Sequence, residues 1–268
     1  MTKIHSTAVI DSGAIIGEGC EIGPYTIVGK QVKIGRNTKV GAHTVIEGNT
    51  DIGENNNISH LVTIGTPPQD IGYKGEDTRV VIGDNNIIRE YATIHRATTK
   101  QDWVTVIGNN NYLMSYTHIA HDCVLGSNII MANSATLGGH TTVGDYATLS
   151  AFIASHQFVR IGAYTMISAL GGLPRDIPPY MMASGLRASL YGLNLVGLRR
   201  RGFTREAITG LRKAYRIIWR ESTTLNQGIK RVKDEMAPFP ELDTLLDFIS
   251  SGSKRGITRG AAEKDEEE

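Results

Sequence analysis

The sequence is poor in the features that mark secreted, disulfide-rich and membrane-spanning proteins. Of its 268 residues, 2 are cysteines (Cys20 and Cys123) and 6% are aromatic. Two cysteines cannot build a disulfide framework, and they fit a reducing compartment. There is no apolar run long enough to cross a bilayer, and the opening MTKIHSTAVIDSG does not resemble a signal peptide. We therefore expect a cytoplasmic protein that is not an integral membrane protein.

Charge is nearly balanced over the whole chain but is unevenly distributed. The formal net charge is +1, yet residues 187–260 hold 15 Lys and Arg against 7 Asp and Glu, which leaves +8. A basic segment of this size favours acidic partners, such as phosphates, nucleic acid or an acidic protein. The last eight residues, AAEKDEEE (261–268), carry five acids and one lysine. They lack apolar residues to pack, so we predict a disordered acidic tail.

In place of these features the sequence has a repeat of six residues, which we call a hexad. An aliphatic residue recurs at every sixth position from Ile10 to Ile64, again from Ile82 to Ile94, and then from Ile107 to Ile167, where Ser155 is the one exception. A period of six does not fit an α-helix, whose period is 3.6, and it is too long-lived for an alternating strand. Glycine, at 30 residues, supplies small residues for frequent corners. This pattern predicts a parallel β-helix, each hexad giving one short strand and one corner.

The hexads also predict how the chain is divided. We expect a triangular prism of three hexads, or about 18 residues, per coil over residues 1–186. Two polar segments interrupt the hexads, at 66–79 and 95–104, and we expect them to leave the prism as loops, either to bind ligand or as tolerated insertions. Apolar residues at helical spacing after Thr204, together with LNQGIKRVKDEM and ELDTLLDFISSG, predict an α-helical C-terminal domain over residues 187–260.

The stretch THIAHDC (117–123) places two histidines three residues apart, with Asp122 directly after the second. If residues 18 apart lie one above the other, Asp122 stacks beneath His140 and His121 beneath Gly139, about 4.8 Å apart. Histidines at four positions then gather on one edge of the prism: His118, His121, His140 and His156.

Three interpretations of this edge remain open. His118, His121 and His140 have ligand types found in zinc sites, as in a metal-dependent, carbonic anhydrase-like enzyme. The edge could instead pack against another prism as part of a non-catalytic scaffold. In a catalytic site, one imidazole would be a general base, a neighbouring carboxylate would fix its tautomer, and the N–H of Gly139 would hold an oxyanion.

Several motifs together resemble one family. HIAHDC, GGH (138–140), SHQF (155–158), DIPPY (176–180), PQD (68–70) and LRRRGF (198–203) closely resemble the acyl-carrier-protein–UDP-N-acetylglucosamine O-acyltransferases, which catalyse the first step of lipid A synthesis in Gram-negative bacteria. The resemblance runs from about Ile4 to Arg259. It implies a left-handed sense for the β-helix, and a cytoplasmic homotrimer with its sites between adjacent prisms.

The resemblance further implies roles for individual residues. His121 would be the general base, Asp122 would orient it, and the Gly139 N–H would hold the oxyanion. The sugar nucleotide would be bound by a wider set: Gln69, Asp70, His118, His140, His156, Gln157, Asn194, Arg200 and Arg201. It implies no metal and no cofactor, because the acyl group arrives on the phosphopantetheine of acyl carrier protein. That acidic protein is the implied partner of the basic segment, and nucleic acid is not.

Three positions depart from the family pattern. Gly72 stands where a lysine contacts the substrate, with Lys74 nearby as a candidate substitute, and Val196 replaces a glutamate of the nucleotide region. Some relatives with a glycine and a valine at these places prefer a 3-amino sugar nucleotide and form an amide, so this acceptor is the alternative to the 3-hydroxyl. Ala169 stands where a glycine admits a long acyl chain, and the added methyl group would shorten the preferred chain slightly.

Overall fold

The structure is a computed structural model, and it describes residues 1–261. The predicted acidic tail, apart from Ala261, lies outside the described residues. Within residues 1–261 the chain forms 28 β-strands and four α-helices. None of the helices in this range is long and apolar enough to cross a membrane.

Most strands are two to four residues long, and they follow one another with a corner after each. The first fourteen are β1 (Lys3–Ile4), β2 (Val9–Ile10), β3 (Ile15–Ile16), β4 (Glu21–Ile22), β5 (Ile27–Val28), β6 (Val32–Ile34), β7 (Lys39–Val40), β8 (Val45–Ile46), β9 (Asn49–Ile52), β10 (Asn57–Ile58), β11 (Thr63–Thr66), β12 (Arg79–Ile82), β13 (Ile87–Ile88) and β14 (Thr93–His95). The second fourteen are β15 (Val104–Ile107), β16 (Tyr112–Leu113), β17 (His118–Ile119), β18 (Val124–Leu125), β19 (Ile130–Met131), β20 (Thr136–Leu137), β21 (Thr142–Val143), β22 (Thr148–Leu149), β23 (Ala154–Ser155), β24 (Arg160–Ile161), β25 (Met166–Ile167), β26 (Gly172–Leu173), β27 (Met181–Ser184) and β28 (Ser189–Leu193).

Successive strands up to β26 belong in turn to three parallel sheets. The first sheet begins with β1 and β4, the second with β2 and β5, and the third with β3 and β6. Every third strand pairs in parallel, so the chain winds as a β-helix with three faces. The predicted parallel β-helix is therefore confirmed. The antiparallel hairpin of β27 and β28 extends the first sheet.

The register confirms the predicted coil of 18 residues where the hexads run unbroken. His118 pairs with Thr136, and Thr136 with Ala154. Ser155, the exception in the repeat, pairs with Leu137 in the same register, so it marks no insertion. Its hydroxyl accepts the Gly138 N–H at 3.0 Å and lies 2.9 Å from the Thr141 hydroxyl, which accounts for a polar residue in this stack.

The two interruptions of the repeat fall at one corner of the prism. Residues 67–78 connect β11 to β12 and residues 96–103 connect β14 to β15, in both cases from the second sheet to the third. Thr63 consequently pairs with a residue 30 positions on, Thr93, and Thr93 with one 25 positions on, His118. We call these segments loop 1 (67–78) and loop 2 (96–103). The next two passages over this corner are residues 120–123 and 138–141.

The core is the stack of hexad residues. All of them are buried from Ile22 to Ile167, while Ile10 and Ile16 in the first coil are partly exposed because no coil covers them from below. Each buried aliphatic side chain contributes about 1.5–3 kcal/mol relative to an exposed one. The corners have their own repeat, since one residue in most of them adopts a left-handed backbone with φ near +60°. Asp122, His140 and Phe158 hold this position in three successive coils.

Four helices follow the last strand: α1 (Leu195–Arg200), α2 (Arg205–Trp219), α3 (Leu225–Glu235) and α4 (Pro240–Ser250). The last three correspond to the predicted helices, and Thr204 caps α2 by accepting the N–H of Ala207, as expected. Helix α1 was not predicted. It has six residues, too few for a helical period to show in the sequence.

The helices are attached to the prism by hydrogen bonds from Arg160 and by the final described residues. Arg160 lies 2.7 Å from the buried carboxylate of Asp176 and donates to the carbonyl of Phe248 in α4. Residues Ile257 and Gly260 form β-bridges to Asp176 and Leu190. Strand β28 lies C-terminal to residue 187 but still pairs within the first sheet. The division at residue 187 between the β-helix and the helical domain therefore stays a prediction.

Candidate active site

The corner that bears loops 1 and 2 also bears the histidines of the THIAHDC stretch. The His140 N–H donates to the carbonyl of His121 at 3.0 Å, which places residues 138–141 directly over 120–123. The rings of His121 and His140 meet edge to face, with centroids 5.1 Å apart. His121, Asp122 and His140 are all buried. The stacking that the coil length predicted is therefore present.

His121 and Asp122 form a tight, buried pair. Nδ1 of His121 lies 2.7 Å from Oδ2 of Asp122. The same carboxylate oxygen accepts the backbone N–H of Thr98 at 3.0 Å and its hydroxyl at 2.7 Å. Burial works to raise the pKa of Asp122, but the hydrogen bonds from His121 and Thr98 prevail and hold the pKa below its ordinary value. An ionised Asp122 keeps the imidazole proton on Nδ1 and leaves the Nε2 lone pair free to act as a base.

Gly139 closes over the free edge of that imidazole. A Cβ atom added at Gly139 would lie 2.6 Å from Nε2 of His121, so only glycine leaves room for the ring. Among the hydrogen bonds of residues 1–261, the N–H of Gly139 has no acceptor. A free N–H beside a basic nitrogen is the arrangement that stabilises an oxyanion formed next to the base.

His140 contacts neighbours through one ring face and both ring nitrogens. Its ring stacks on Phe158, one coil further on, with centroids 4.3 Å apart. Nδ1 contacts Oε1 of Gln101 from loop 2, and Nε2 lies 3.7 Å from Oδ2 of Asp122. Burial lowers the pKa of His140 and outweighs the opposing effect of Asp122. His140 is therefore neutral at neutral pH, fixed in orientation and available as a hydrogen-bonding group.

His118 lies at the start of this corner, in β17. Its Nδ1 is 2.7 Å from the hydroxyl of Thr93, and its ring meets His95 edge to face at 4.8 Å. Burial lowers the pKa of His118, and it lowers that of His95 to about 4, with the other histidines adding to the effect. Both rings are thus neutral, which limits the positive charge around His121.

The loops bring further groups to the same corner. Asp70 of loop 1 accepts the N–H of Gly72 at 2.7 Å and pairs with Nζ of Lys100, from loop 2, at 2.5 Å. Hydrogen bonds from Lys100 and Gly72 lower the pKa of Asp70. Gln69, which was predicted beside Asp70, is exposed. Lys74, the candidate substitute for the absent lysine, is exposed and pairs through its backbone N–H with Glu76, so it is Lys100 that occupies the neighbourhood of Gly72.

His156 and Gln157 lie one coil beyond Gly138 and Gly139, and both are exposed. Arg255, from the C-terminal segment, contacts Nδ1 of His156 and donates to the carbonyl of Gln157 at 2.6 Å. The C-terminal segment around Arg255 thus contacts the side of the corner formed by His156 and Gln157.

The structure does not bring the remaining predicted residues to this corner. Asn194, Arg200 and Arg201 line a cavity of about 300 Å³ with Tyr146 and Tyr164, at the corner between the third and first sheets. Arg201 lies over the Tyr146 ring, 4.5 Å from its centroid. Ala169 is exposed at the corner between the first and second sheets, between β25 and β26. Within one chain the predicted residues therefore occupy three different corners.

The side chains at this corner include one group that could share a metal ion. In residues 1–261, the side chains close enough to share an ion are His121, Asp122 and His140, whose ligand atoms lie within 4.8 Å of one another. This group leaves out His118, which the three-histidine interpretation required. In addition, the Asp122 oxygen that faces both rings already accepts three hydrogen bonds, from His121 and Thr98.

Four contributing residues were not identified from the sequence: Thr98, Lys100, Gln101 and Arg255. Three of them belong to loop 2, for which the sequence left ligand binding and a tolerated insertion both open, without indicating which side chains turn inward. Arg255 reaches its partners across 98 and 99 residues of chain, and no local pattern encodes such a contact.

A parallel β-helix with a histidine–carboxylate pair at one corner is an arrangement typical of the hexapeptide-repeat transferases. A family profile described as bacterial transferase hexapeptide matches residues 105–139, and one described as UDP N-acetylglucosamine O-acyltransferase, domain 2, matches residues 176–258. The chain is 54% identical over 197 residues to the acyl-[acyl-carrier-protein]–UDP-N-acetylglucosamine O-acyltransferase of Thermodesulfovibrio yellowstonii, covering 74% of this chain and 76% of that one. Its counterpart in Thiobacillus denitrificans is 47% identical over 204 residues, covering 76% and 79%.

The likeness extends to solved structures. The UDP-N-acetylglucosamine acyltransferase of Bacteroides fragilis superimposes with a TM-score of 0.93 at 40% identity, covering 96% of this chain and 100% of that one. The chain belongs to the acyl-[acyl-carrier-protein]–UDP-N-acetylglucosamine O-acyltransferase family. It is therefore an acyltransferase, and neither the 3-amino acceptor nor the metal-dependent alternative gains support from these relatives.

Proposed function

We propose that the protein transfers a 3-hydroxyacyl chain from acyl carrier protein to the 3-hydroxyl of UDP-N-acetylglucosamine, the first step of lipid A synthesis. The observation that carries this proposal is the buried His121–Asp122 pair, with the N–H of Gly139, which has no acceptor among residues 1–261, beside the free imidazole nitrogen. A base next to an oxyanion donor is the minimum that direct acyl transfer to an alcohol requires.

In the proposed reaction, Nε2 of His121 takes the proton of the 3-hydroxyl as the sugar oxygen attacks the thioester carbonyl carbon. The carbonyl oxygen becomes an oxyanion and accepts the Gly139 N–H. The imidazolium that forms is stabilised by the carboxylate of Asp122 at 2.7 Å. Collapse of the intermediate breaks the carbon–sulfur bond, and the leaving thiol takes the proton from His121. Ester and free carrier thiol are the products.

Transfer without a covalent enzyme intermediate fits the state of the nearest thiol. Cys123 follows Asp122 directly, but it is fully buried and its Sγ lies 3.3 Å from the carbonyl of Gly138. Burial raises the pKa of Cys123 to about 12, so its thiolate is absent at neutral pH. The base therefore acts on the acceptor itself.

We infer further that the active unit is a homotrimer. Because residues for the base, the nucleotide and the acyl chain lie at three corners of one prism, prisms arranged around a threefold axis would bring different corners together. In this arrangement, His121 of one subunit would face Asn194, Arg200 and Arg201 of a neighbour. Sedimentation should give three times the chain mass. Two inactive variants, His121→Ala and Arg201→Ala, should regain activity at about one quarter of the sites when mixed trimers are refolded. No gain would place each site within one chain.

The acceptor and the donor are tested together in a competition assay. The protein receives 3-hydroxyacyl carrier protein with equal amounts of UDP-N-acetylglucosamine and its 3-amino analogue, and the products are resolved by mass. Ester in excess supports the proposal. Amide in excess would assign Gly72 and Val196 to a 3-amino acceptor, and no product from either would overturn the proposed function.

A further inference from the structure

We propose that Lys100 is a substrate-positioning residue, whose ammonium group binds the sugar-nucleotide acceptor beside Asp70. The inference rests on the proposed function, because it names a contact of the same site. Its starting point is a glycine: at position 72, next to Asp70, the chain offers no side chain at all.

The ammonium group of Lys100 lies between loops 1 and 2. Nζ of Lys100 lies 2.5 Å from Oδ2 of Asp70 and 3.8 Å from the position that a Cβ atom of Gly72 would take. The lysine therefore enters from loop 2 the space next to Gly72 in loop 1. Burial lowers the pKa of His140, and the positive charge of Lys100 adds to that effect. The ion pair thus belongs to the surroundings of the base.

The backbone of loop 2 holds Lys100 in place. Its backbone N–H donates to the hydroxyl of Thr98 at 3.3 Å, and that hydroxyl donates to Asp122. The next residue, Gln101, contacts His140. Two neighbours of Lys100 in loop 2 are consequently attached to buried groups of the site, so the loop cannot shift without disturbing them.

The Asp70–Lys100 ion pair is open to solvent and has donors to spare. The side chain of Asp70 is 15% exposed, while that of Lys100 is 56% exposed. A pair this open to water adds little to stability. An ammonium group has three N–H donors, of which Asp70 accepts one, so two remain for another ligand. An acceptor substrate with phosphate and sugar oxygens supplies the anionic and polar groups that suit them.

The test is steady-state kinetics on the full-length protein with Lys100→Met, Lys100→Arg and, as a matched control from loop 1, Lys74→Met. Loss of a charge-assisted hydrogen bond should raise the KM for UDP-N-acetylglucosamine roughly 10- to 100-fold in Lys100→Met. The KM for acyl carrier protein and the melting temperature should stay unchanged. Lys100→Arg should keep part of the affinity, and Lys74→Met all of it.

A second variant separates binding from a merely structural role. The backbone at Gly72 is not left-handed, and a Cβ atom there would meet Asp70 Oδ1 at 3.1 Å and Lys100 Nζ at 3.8 Å. The second contact is absent in Lys100→Met, so Gly72→Lys is sterically acceptable in that variant. Added to Lys100→Met, it should restore the acceptor KM by returning an ammonium group from the other loop. An unchanged KM in Lys100→Met, an equal rise in Lys74→Met or in the carrier-protein KM, or failure of Gly72→Lys to rescue would overturn the proposal. Inactivity of the parent protein towards both substrates would instead overturn the proposed function.

Discussion

Replacing Asp122 with asparagine separates the charge of this carboxylate from its hydrogen bonds. Oδ2 of Asp122 accepts the backbone N–H of Thr98 at 3.0 Å, and a backbone donor cannot turn away. In Asp122→Asn the amide oxygen must therefore take the Oδ2 position, and the NH₂ group the Oδ1 position. His121 then still donates from Nδ1, so its tautomer is kept and only the charge is lost.

The size of the effect follows from that geometry. A hydrogen bond to a charged group contributes about 1.5–3 kcal/mol, against roughly 0.5–1.5 kcal/mol for a neutral one. The difference of about 1–2 kcal/mol appears when the imidazolium forms, so kcat should fall roughly 5- to 30-fold. Oδ1 of Asp122 is buried without a hydrogen-bond partner in residues 1–261, so the NH₂ group replaces one unpaired polar group with another. Because the three hydrogen bonds to Oδ2 then end on a neutral oxygen instead of a charged one, the free energy of unfolding should fall by about 1–3 kcal/mol.

The assay is kcat at saturating concentrations of both substrates, with melting temperature measured in parallel. Asp11→Asn is the control, because Asp11 also accepts a backbone N–H, from Gly13, but lies exposed in the first coil. A loss as large as that of His121→Ala, roughly 10²–10⁴-fold for a general base, would mean that the amide had turned and reversed the tautomer. No loss would mean that the charge of Asp122 plays no part in the reaction. Either result would refute the role assigned to the Asp122 charge.

Three further predictions address the glycine, the buried histidine and the basic segment. Gly139→Ala places a Cβ atom 2.6 Å from Nε2 of His121, so kcat should fall at least roughly 10-fold with an unchanged circular dichroism spectrum. The control is Gly252→Ala, because no described atom lies within 4 Å of a Cβ at that position. A fully active Gly139→Ala would contradict the arrangement of Gly139 over His121. The pKa of His95 is about 4 in the folded chain and 6.5 in the unfolded chain. As pH falls, the unfolded chain therefore binds the proton first. About 3 kcal/mol of stability that is present above pH 6.5 is lost as pH falls towards 4. Urea unfolding of His95→Gln should show a flatter dependence on pH over that window, and an identical slope would count against it. Added salt should raise the KM for acyl carrier protein if the positive charge of residues 187–260 attracts it, whereas indifference to salt would exclude an electrostatic contribution.

Much of the fold and the centre of the site could be predicted because one register governs both. Once the hexads set a coil of 18 residues, simple subtraction placed His140 over Asp122 and Gly139 over His121. The same register also placed His118 at this corner. A coil count does not predict where a side chain points, and the ring of His118 contacts Thr93 and His95.

Loop 2 has no such register. Its conformation follows from hydrogen bonds to Asp122, Asp70 and His140 that form only in the folded chain, so Thr98, Lys100 and Gln101 could not be assigned from the sequence. The contact of Arg255 with His156 is missing from the prediction for the same reason, because it depends on how the helices return the chain to the prism.

The constant coil length also fixes the spacing of functional groups along the prism axis. A group moved by 18 residues along the chain shifts by one coil, about 4.8 Å along the axis, and its corner and its direction stay unchanged. Insertion of a whole coil lengthens the prism and leaves every side chain on its face, whereas a single residue inserted within a strand turns the side chains after it onto the opposite face. Loops 1 and 2 take up their extra residues outside the coil count. A lineage can therefore lengthen or rewrite them and leave the spacing of His121, Gly139 and Gln157 as it was.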